Sequence, residues 1–152
     1  MSVGSHTELF TVRGYEVDEN NHLKLQCLSD YLQEAAGIHA ARLGLSVEKL
    51  QSEGVTWVLS RFQFAPEYMP VAGTRLEVKT WPVGVEGLQY RRDFVVMGEN
   101  GRRVARAVSN RVVVNFETRR VGRVPAFLAE IELENAETAM ESSRAKLPLL
   151  GG

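Results

Sequence analysis

The sequence lacks the features of a secreted, membrane-spanning or disordered protein. Its 152 residues include one cysteine, Cys27, so no intrachain disulfide is possible and a disulfide-rich scaffold is excluded. A run of about 18 apolar residues is absent, so no transmembrane helix is expected. The first ten residues, MSVGSHTELF, have neither the basic nor the apolar region of a secretory signal. We therefore expect a cytoplasmic protein that does not associate with membranes.

The charge of the chain is nearly balanced but unevenly distributed. A formal net charge of −1 argues against a general nucleic-acid binder. The segment from Arg91 to Arg123 holds nine arginines and three acidic residues, so it carries +6 and the remainder −7. Aromatic residues are not interleaved with these arginines, as a nucleic-acid stacking surface would require. The arginines either lie on a solvated strand face or bind phosphate or carboxylate groups.

Hydrophobic residues, 44% of the chain, are sufficient for one domain and predict a strand, a long helix and then several strands. The predicted helices are Leu25–Leu43 and the shorter Ser46–Ser52, and the predicted strands are Glu8–Tyr15, Val55–Phe64, Thr74–Trp81, Leu88–Met97 and Arg102–Phe116. Gly84 and Gly87 predict a loop, and Asn100-Gly101 predicts a hairpin turn. The predicted domain covers residues 8–125, between a flexible N-terminus at 1–7 and a weakly structured segment at 126–152.

This order of elements predicts an α+β fold in which an antiparallel sheet of about five strands wraps one long, alanine-rich central helix. That arrangement is a single hotdog fold. Such a subunit leaves a long strand edge unpaired, and natural proteins usually cover or pair such edges. A homodimer, or a dimer of dimers, is therefore expected.

A polar loop before the long helix carries the strongest candidate for chemistry. Asp18, Asn20 and His22 alternate there, and Glu34 follows within the helix at the border of its apolar face. A carboxylate can accept a proton from water, and backbone N–H groups at a helix start can stabilise an oxyanion. The set therefore suits hydrolysis of an activated acyl group such as a thioester. The alternative is structural, because Asp and Asn before a helix are ordinary caps.

Other chemistries find less support in the sequence. Cys27 lies within the predicted helix, where a small buried side chain is the commoner role. His39 lies on the apolar helix face and is most simply a core residue, and the three histidines lack the spacing of a zinc site. No glycine-rich phosphate loop and no Gly-x-Ser-x-Gly elbow occur. We expect neither a metal nor a cofactor.

Seven short stretches resemble the acyl-acyl carrier protein thioesterase family in their order and spacing. They are Phe10–Val17 (FTVRGYEV), Leu32–Ala40 (LQEAAGIHA), Trp57-Val58 with Arg61, Glu77–Trp81 (EVKTW), Arg91–Phe94 (RRDF), Ala107-x-Ser109 and Asn115–Arg123. The resemblance spans about Phe10 to Pro125. It implies hotdog enzymes that release free fatty acid from a carrier.

The resemblance also implies roles for the polar loop. Plant members are double-hotdog chains, and the stretches above are most similar to their N-terminal half. The catalytic Asp-x-Asn-x-His motif with a helical glutamate belongs to the C-terminal half, and Asp18, Asn20, His22 and Glu34 match it in residue type and spacing. The residues after His22 (LKLQ) depart from the Val-Asn-Asn usual there. Since a second hotdog is absent, a homodimer would have to replace it.

The expected function is hydrolysis of a fatty acyl thioester of acyl carrier protein, or of CoA, to free acid and thiol. Asp18 or Glu34 would activate the water, Asn20 would orient the reacting groups, and His22 would hydrogen-bond the thioester or the water. Arg119, Arg120 and Arg123 are the candidate surface for the acidic carrier. The alternatives are a hydroxyacyl-thioester dehydratase, although its His-Phe-Pro-Gly signature is missing, and a non-catalytic acyl-thioester-binding module.

Overall fold

A computed structural model of the chain describes residues 2–45, 47–122 and 132–133. Within these residues there are two helices and eight strands. In chain order they are β1 (Ser2–Val3), β2 (His6–Thr11), α1 (Leu25–Arg42), α2 (Val47–Ser52), β3 (Val55–Pro66), β4 (Arg75–Glu86), β5 (Gln89–Met97), β6 (Arg103–Asn115), β7 (Val121–Gly122) and β8 (Glu132–Leu133). Short 3-10 turns occupy Gly14–Glu16 and Glu99–Gly101.

The main sheet has the strand order β2-β4-β5-β6-β3, and every neighbouring pair is antiparallel. The short β7 pairs with the end of β6 as a sixth strand. Separately, β1 and β8 form a two-stranded parallel pair. Helix α1 packs against the main sheet, so the predicted α+β hotdog arrangement is confirmed.

The core forms where one face of α1 meets β4, β5 and β6. Leu28, Leu32 and Ala35 on the helix are fully buried against sheet residues that include Val78 and Phe94. The alanines of this face carry little bulk, which allows the helix axis to approach the sheet closely. The helix ends at Arg42, close to the predicted end, and is followed by Gly44 in the left-handed conformation at φ 77°.

A second, smaller apolar cluster lies at the C-terminal end of α1. Leu45 and Leu50 pack with Tyr90 of β5, and Trp57 of β3 borders them. The helix α2 confirms the predicted short helix, although its predicted N-cap, Ser46, lies outside the described residues. This cluster encloses one side of the cavity described below.

Several boundaries differ from the predictions. The first predicted strand, Glu8–Tyr15, ends at Thr11 as β2, and Gly14–Glu16 forms a 3-10 turn instead. Gly84 does not begin a loop: β4 continues to Glu86, and Gly84 occupies a bulge with φ 137° where the register to β5 shifts. His6 and Thr7, assigned from the sequence to a flexible terminus, belong to β2 and pair with Thr80 and Lys79 of β4. The His6 side chain is buried, which explains why the strand extends beyond the alternating segment.

The predicted turn at Asn100-Gly101 is confirmed. Asn100 and Gly101 both have positive φ, 61° and 71°, and Gly98 N–H donates to Arg102 O at 2.7 Å to close the hairpin between β5 and β6. Across the part of the chain that is described, no helix combines the length and apolar character needed to cross a membrane.

Candidate active site and apolar cavity

The polar loop before α1 is a tight turn built around Asp18. Val17 and Leu23 pair as an antiparallel bridge, and Asp18 N–H donates to His22 O at 2.8 Å. The carboxylate oxygen Oδ1 of Asp18 accepts two backbone N–H groups, from Asn20 at 2.8 Å and from His22 at 3.0 Å. Asp18 therefore caps its own turn, rather than the helix that follows.

These hydrogen bonds determine the acid–base character of Asp18. The backbone N–H of His22 stabilises the ionised carboxylate and holds the pKa of Asp18 below its ordinary value. The group is exposed and stays ionised at neutral pH, and its lowered pKa makes it a weak proton acceptor. The second oxygen, Oδ2, accepts no hydrogen bond from the described residues, so it remains available to orient a water molecule.

Asp18 and His22 line a surface depression together with Leu25, the first residue of α1. The residue before the helix, Lys24, provides no side-chain cap, so the first N–H groups of α1 have no side-chain partner there. Asn20 is exposed and lies outside this lining. Its neighbour Asn21 makes the long-range contact instead, because Asn21 Oδ1 accepts Ala72 N–H at 3.2 Å.

Glu34 does not share this depression. It is exposed on α1, nine residues after Leu25, which corresponds to about 14 Å along the helix axis. There it lines another surface depression, with Phe10, Tyr31 and three further carboxylates, Glu8, Glu16 and Asp30. Within one chain, therefore, Asp18 and His22 lie together and Glu34 lies apart.

An apolar cavity lies between the C-terminal half of α1, α2 and strands β3, β5 and β6. Its volume is about 150 Å³. The cavity is lined mostly by apolar residues, with a few polar side chains among them: Gln33, Ala36, Gly37, Ala40, Leu45, Leu50, Trp57, Tyr90, Arg92 and Arg111. A dry apolar cavity of about 150 Å³ is large enough for a benzene molecule, so this one accommodates about six carbon atoms.

Two cationic side chains border this cavity. Arg92 is 6% exposed and donates from Nη1 to His39 Nδ1 at 2.9 Å and to Thr80 Oγ1 at 3.2 Å. Burial lowers the pKa of Arg92 to about 10 and also lowers the pKa of Arg111. Arg111 donates from Nη2 to Gln33 Oε1.

The histidine that accepts from Arg92 is held in its neutral form. Burial, reinforced by the positive charge of Arg92, lowers the pKa of His39 to about 4. His39 also stacks on His6, with ring centroids 5.5 Å apart. On its other side His6 accepts from Arg42 Nη1 at 3.0 Å and donates to Glu8 Oε2 at 2.7 Å. The sequence correctly predicts that His39 is a core residue. It does not predict this series of hydrogen-bonded and stacked polar side chains.

The arginines of the +6 segment divide into buried and exposed groups. Arg91 and Arg92 are buried, so a solvated strand face does not describe them. Arg119 and Arg120 are exposed in the turn between β6 and β7, where Arg119 has φ 60° and Arg120 O accepts Asn115 N–H at 2.9 Å. Neither side chain forms a salt bridge with a described residue. Arg123 lies outside the described residues.

Side chains suited to holding a metal ion are not grouped within the described ranges. In those ranges, no group of three or more histidine, cysteine, aspartate or glutamate side chains is arranged to hold a metal ion. Cys27 is a partly buried thiol on α1 that packs against the main core. Its position agrees with a small core residue.

Comparison with known proteins identifies the family of the chain. Residues 4–131 match the acyl-ACP thioesterase N-terminal domain. The chain is 32% identical over 124 residues to a chloroplastic dodecanoyl-[acyl-carrier-protein] hydrolase of Cinnamomum camphora, covering 76% of this chain and 32% of that protein.

Solved structures give the same result. An acyl-ACP thioesterase of Bacteroides thetaiotaomicron superposes with a TM-score of 0.81 at 27% identity, over 91% of this chain and 56% of that one. The 12:0-ACP thioesterase of Umbellularia californica gives 0.82 at 26% identity, over 95% and 59%. A 1,4-dihydroxy-2-naphthoyl-CoA thioesterase of Synechocystis, at 18% identity and a TM-score of 0.72, shares the fold over 91% of its own length.

The fold is thus that of a single hotdog domain. The chain belongs to the acyl-ACP thioesterase family and matches its N-terminal domain. It spans about one third of the length of the curated relatives that it matches, 32% for the camphor protein. The family resemblance expected from the sequence is confirmed, including the stretch from Phe10 to Pro125 on which it was based.

The neutral state of His39 predicts how stability depends on pH. The unfolded chain protonates His39 near pH 6.5, whereas the folded chain does so only near pH 4. Between these values the unfolded state binds more protons, so the free energy of unfolding falls as the pH is lowered. We expect a lower melting temperature at pH 5 than at pH 7.5, and a smaller decrease in His39→Asn, whose amide oxygen can accept from Arg92 without titrating.

His22→Asn is the matched control, because it makes the same substitution at an exposed histidine outside the core. Thermal unfolding of the three proteins at both pH values makes the comparison. A decrease in His39→Asn as large as that of the parent would contradict the assignment of a neutral, buried His39.

Proposed function

We propose that the chain hydrolyses fatty acyl thioesters, those of acyl carrier protein first and those of CoA second, to free acid and thiol. The observation that carries this proposal is the match of residues 4–131 to the acyl-ACP thioesterase family. Relatives named as dodecanoyl- and palmitoyl-acyl carrier protein hydrolases support the substrate class. The apolar cavity supplies a place for part of a hydrocarbon chain.

In the proposed reaction Asp18 Oδ2 orients a water molecule toward the thioester carbonyl carbon. The water oxygen bonds to that carbon, the C–S bond breaks, and the proton lost by the water ends on the departing thiolate. The N–H groups at the start of α1 stabilise the oxyanion. His22, which shares the depression with Asp18, hydrogen-bonds the thioester or the water, and Asn20 helps to orient the reacting groups. No metal or cofactor is part of this proposal.

The position of the cavity supports a role for a second copy of the chain. Ala36, in the middle of the cavity wall, lies eleven residues after Leu25, about 16 Å farther along α1. A homodimer in which the cavity of one copy faces the polar loop of the other would bring acyl group and water-orienting carboxylate together. The same geometry would give Glu34 access to a shared site, so Glu34 remains the alternative to Asp18 as the base.

The match to an N-terminal domain favours one second candidate, a non-catalytic acyl-thioester-binding module. Such a module would use the cavity and would not depend on Asp18. Purified protein incubated with a panel of acyl-carrier and acyl-CoA thioesters, with released thiol as the readout, separates the two. Saturable binding without thiol release would identify the module, and water loss from a 3-hydroxyacyl thioester would identify a dehydratase.

The role of Asp18 is testable without disrupting its turn. Asp18→Asn keeps an amide oxygen that can accept from Asn20 and His22 N–H, and it removes only the carboxylate charge. We expect the turnover number to fall at least about a hundredfold, because a neutral amide no longer stabilises the positive charge that develops on the attacking water. Steady-state thiol release, with circular dichroism to verify folding, makes the measurement.

Glu19→Gln is the matched control, because Glu19 is the exposed neighbouring carboxylate and forms no hydrogen bond with a described residue. It should keep near-parental turnover. If Asp18→Asn also keeps it, the polar loop is not the site, and Glu34→Gln becomes the decisive variant.

The proposed homodimer would pair or cover the free edge of β3. This strand has 12 residues, about 40 Å of edge without a neighbour among the described strands, and Val58 in its middle is 44% exposed. A lysine on an edge strand opposes pairing with another strand. We therefore expect the protein to be at least dimeric by light scattering at micromolar concentration, and Val58→Lys to dissociate more readily.

Leu88→Lys provides the control, since Leu88 is 49% exposed in the turn between β4 and β5 and lies off this edge. It should keep the parental mass at every concentration. A monomeric parent protein would contradict the proposed dimer, and equal dissociation of both variants would contradict the β3 edge as its interface.

Arg119 and Arg120 are proposed to attract the acidic carrier protein. Their side chains are exposed, and the turn is held by backbone groups that a change of side chain leaves in place. Arg119→Glu with Arg120→Glu should raise the KM for an acyl-carrier substrate several-fold at low salt, and less at high salt, because long-range attraction is screened. Hydrolysis of a small neutral thioester should be nearly unchanged.

Arg75→Glu with Lys79→Glu changes the net charge equally on exposed positions of β4. This control should leave the KM for the carrier near the parental value. If the Arg119/Arg120 variant loses thermal stability and affects both substrates alike, these arginines hold the chain together rather than bind the carrier. Arg123 is proposed to act with them and can be added as a third reversal.

A further inference from the structure

The two arginines beside the apolar cavity have no acidic partner among the described residues. Arg92 donates only to His39 and Thr80, and Arg111 only to Gln33; all three acceptors are neutral. His39 is neutral because its pKa lies far below physiological pH. Both guanidinium groups therefore border the cavity with an uncompensated positive charge.

The neighbouring Arg91, on the same strand, has its charge compensated by a carboxylate. Arg91 is 2% exposed and forms a two-point contact with Asp93, from Nε at 2.7 Å and from Nη2 at 3.0 Å. Burying a charge without such a partner is strongly unfavourable. The sheet thus pairs one of two adjacent buried arginines with a carboxylate and leaves the other facing the cavity with neutral contacts.

A third donor points to the same ligand chemistry. Gln33 accepts from Arg111 through Oε1, while its amide nitrogen Nε2 is buried and has no hydrogen-bond partner. Gln33 also lines the cavity. An anionic acceptor placed in the cavity would therefore satisfy an unpaired amide and offset part of the positive charge of the two guanidinium groups.

We propose that this cavity binds a carboxylate attached to a short apolar chain of about six carbons. Arg92, Arg111 and Gln33 would donate to the carboxylate oxygens, and the walls formed by Leu45, Leu50 and other apolar residues would cover the hydrocarbon. A carboxylate is favoured over a phosphate, because a volume of about 150 Å³ with mostly apolar walls suits a hydrocarbon acid.

Two sources provide this chemistry. One is a free fatty acid, which the proposed hydrolysis would release, and the other is the distal carboxylate of a dicarboxylic acyl thioester. The assignment of either source rests on the proposed function, whereas binding of the acid itself does not require turnover. The test therefore begins with binding to the intact chain.

Isothermal titration of the purified full chain with hexanoate and with hexan-1-ol compares ligands of equal length with and without the charge. We expect one hexanoate per chain, bound at least about tenfold more tightly than the alcohol, the scale of a charge-assisted hydrogen bond. Arg111→Met should reduce hexanoate binding to the level of the alcohol. Arg75→Met, which removes an exposed guanidinium from β4, should leave it unchanged.

Gln33→Leu provides a second variant that keeps both arginines, and it should weaken hexanoate binding while leaving hexan-1-ol binding nearly unchanged. If hexanoate binds no more tightly than the alcohol, or equally to Arg111→Met, the proposed carboxylate site is wrong. This result is independent of whether the chain hydrolyses any thioester.

The two sources are then distinguished with thioesters. A lower KM for adipoyl-CoA than for hexanoyl-CoA, lost in Arg111→Met, indicates the distal carboxylate. Competitive inhibition of hexanoyl-CoA hydrolysis by hexanoate, without preference for adipoyl-CoA, indicates the free acid. If hexanoate binds but neither these thioesters nor the acyl-carrier thioesters of the panel above are hydrolysed, the carboxylate site stands and the proposed hydrolase function fails.

Discussion

The close packing of α1 on the sheet is the contact on which the rest of the molecule depends. Ala35 and Ala36 lie at this contact, and their small side chains let the helix backbone come closer to the sheet than larger side chains would allow. The same approach brings Gln33 and His39, on neighbouring faces of the helix, within hydrogen-bonding distance of Arg111 and Arg92. The apolar core and the polar border of the cavity are thus consequences of one helix–sheet contact.

The polar groups inside this contact constrain one another. Arg92 lies charged near the core, and the neutral His39 presents Nδ1 to it as an acceptor. A protonated His39 would have no lone pair for Arg92 and would add like charge beside His6 and Arg42. The neutral histidine therefore accepts from the buried arginine, and the buried arginine sets the electrostatic character of the cavity.

The sequence predicts the elements of this fold well, because amphipathic periodicity is a local property. The ends of α1 and the turn at Asn100-Gly101 follow directly from it. It does not predict the continuation of β4 through Gly84, since a bulge depends on the neighbouring strand. Nor does it predict that Asp18 caps its own turn. It also does not predict that Arg91 has a carboxylate partner while Arg92 has none among the described residues, because such contacts depend on the folded surroundings and not on patterns along the chain.

The distance between the polar loop and the cavity favours a homodimer independently of the free strand edge. Asp18 lies at the N-terminal end of α1, and the cavity lies beside its C-terminal half, about 16 Å away along a rigid helix. No side-chain rotation covers that distance, and the core between them is closed by residues such as Leu28 and Leu32. In the proposed homodimer the two features would come together, because the polar loop of one copy would face the cavity of the other. The free edge of β3 lies next to the cavity wall at Trp57, so pairing at that edge would place a second domain beside the cavity.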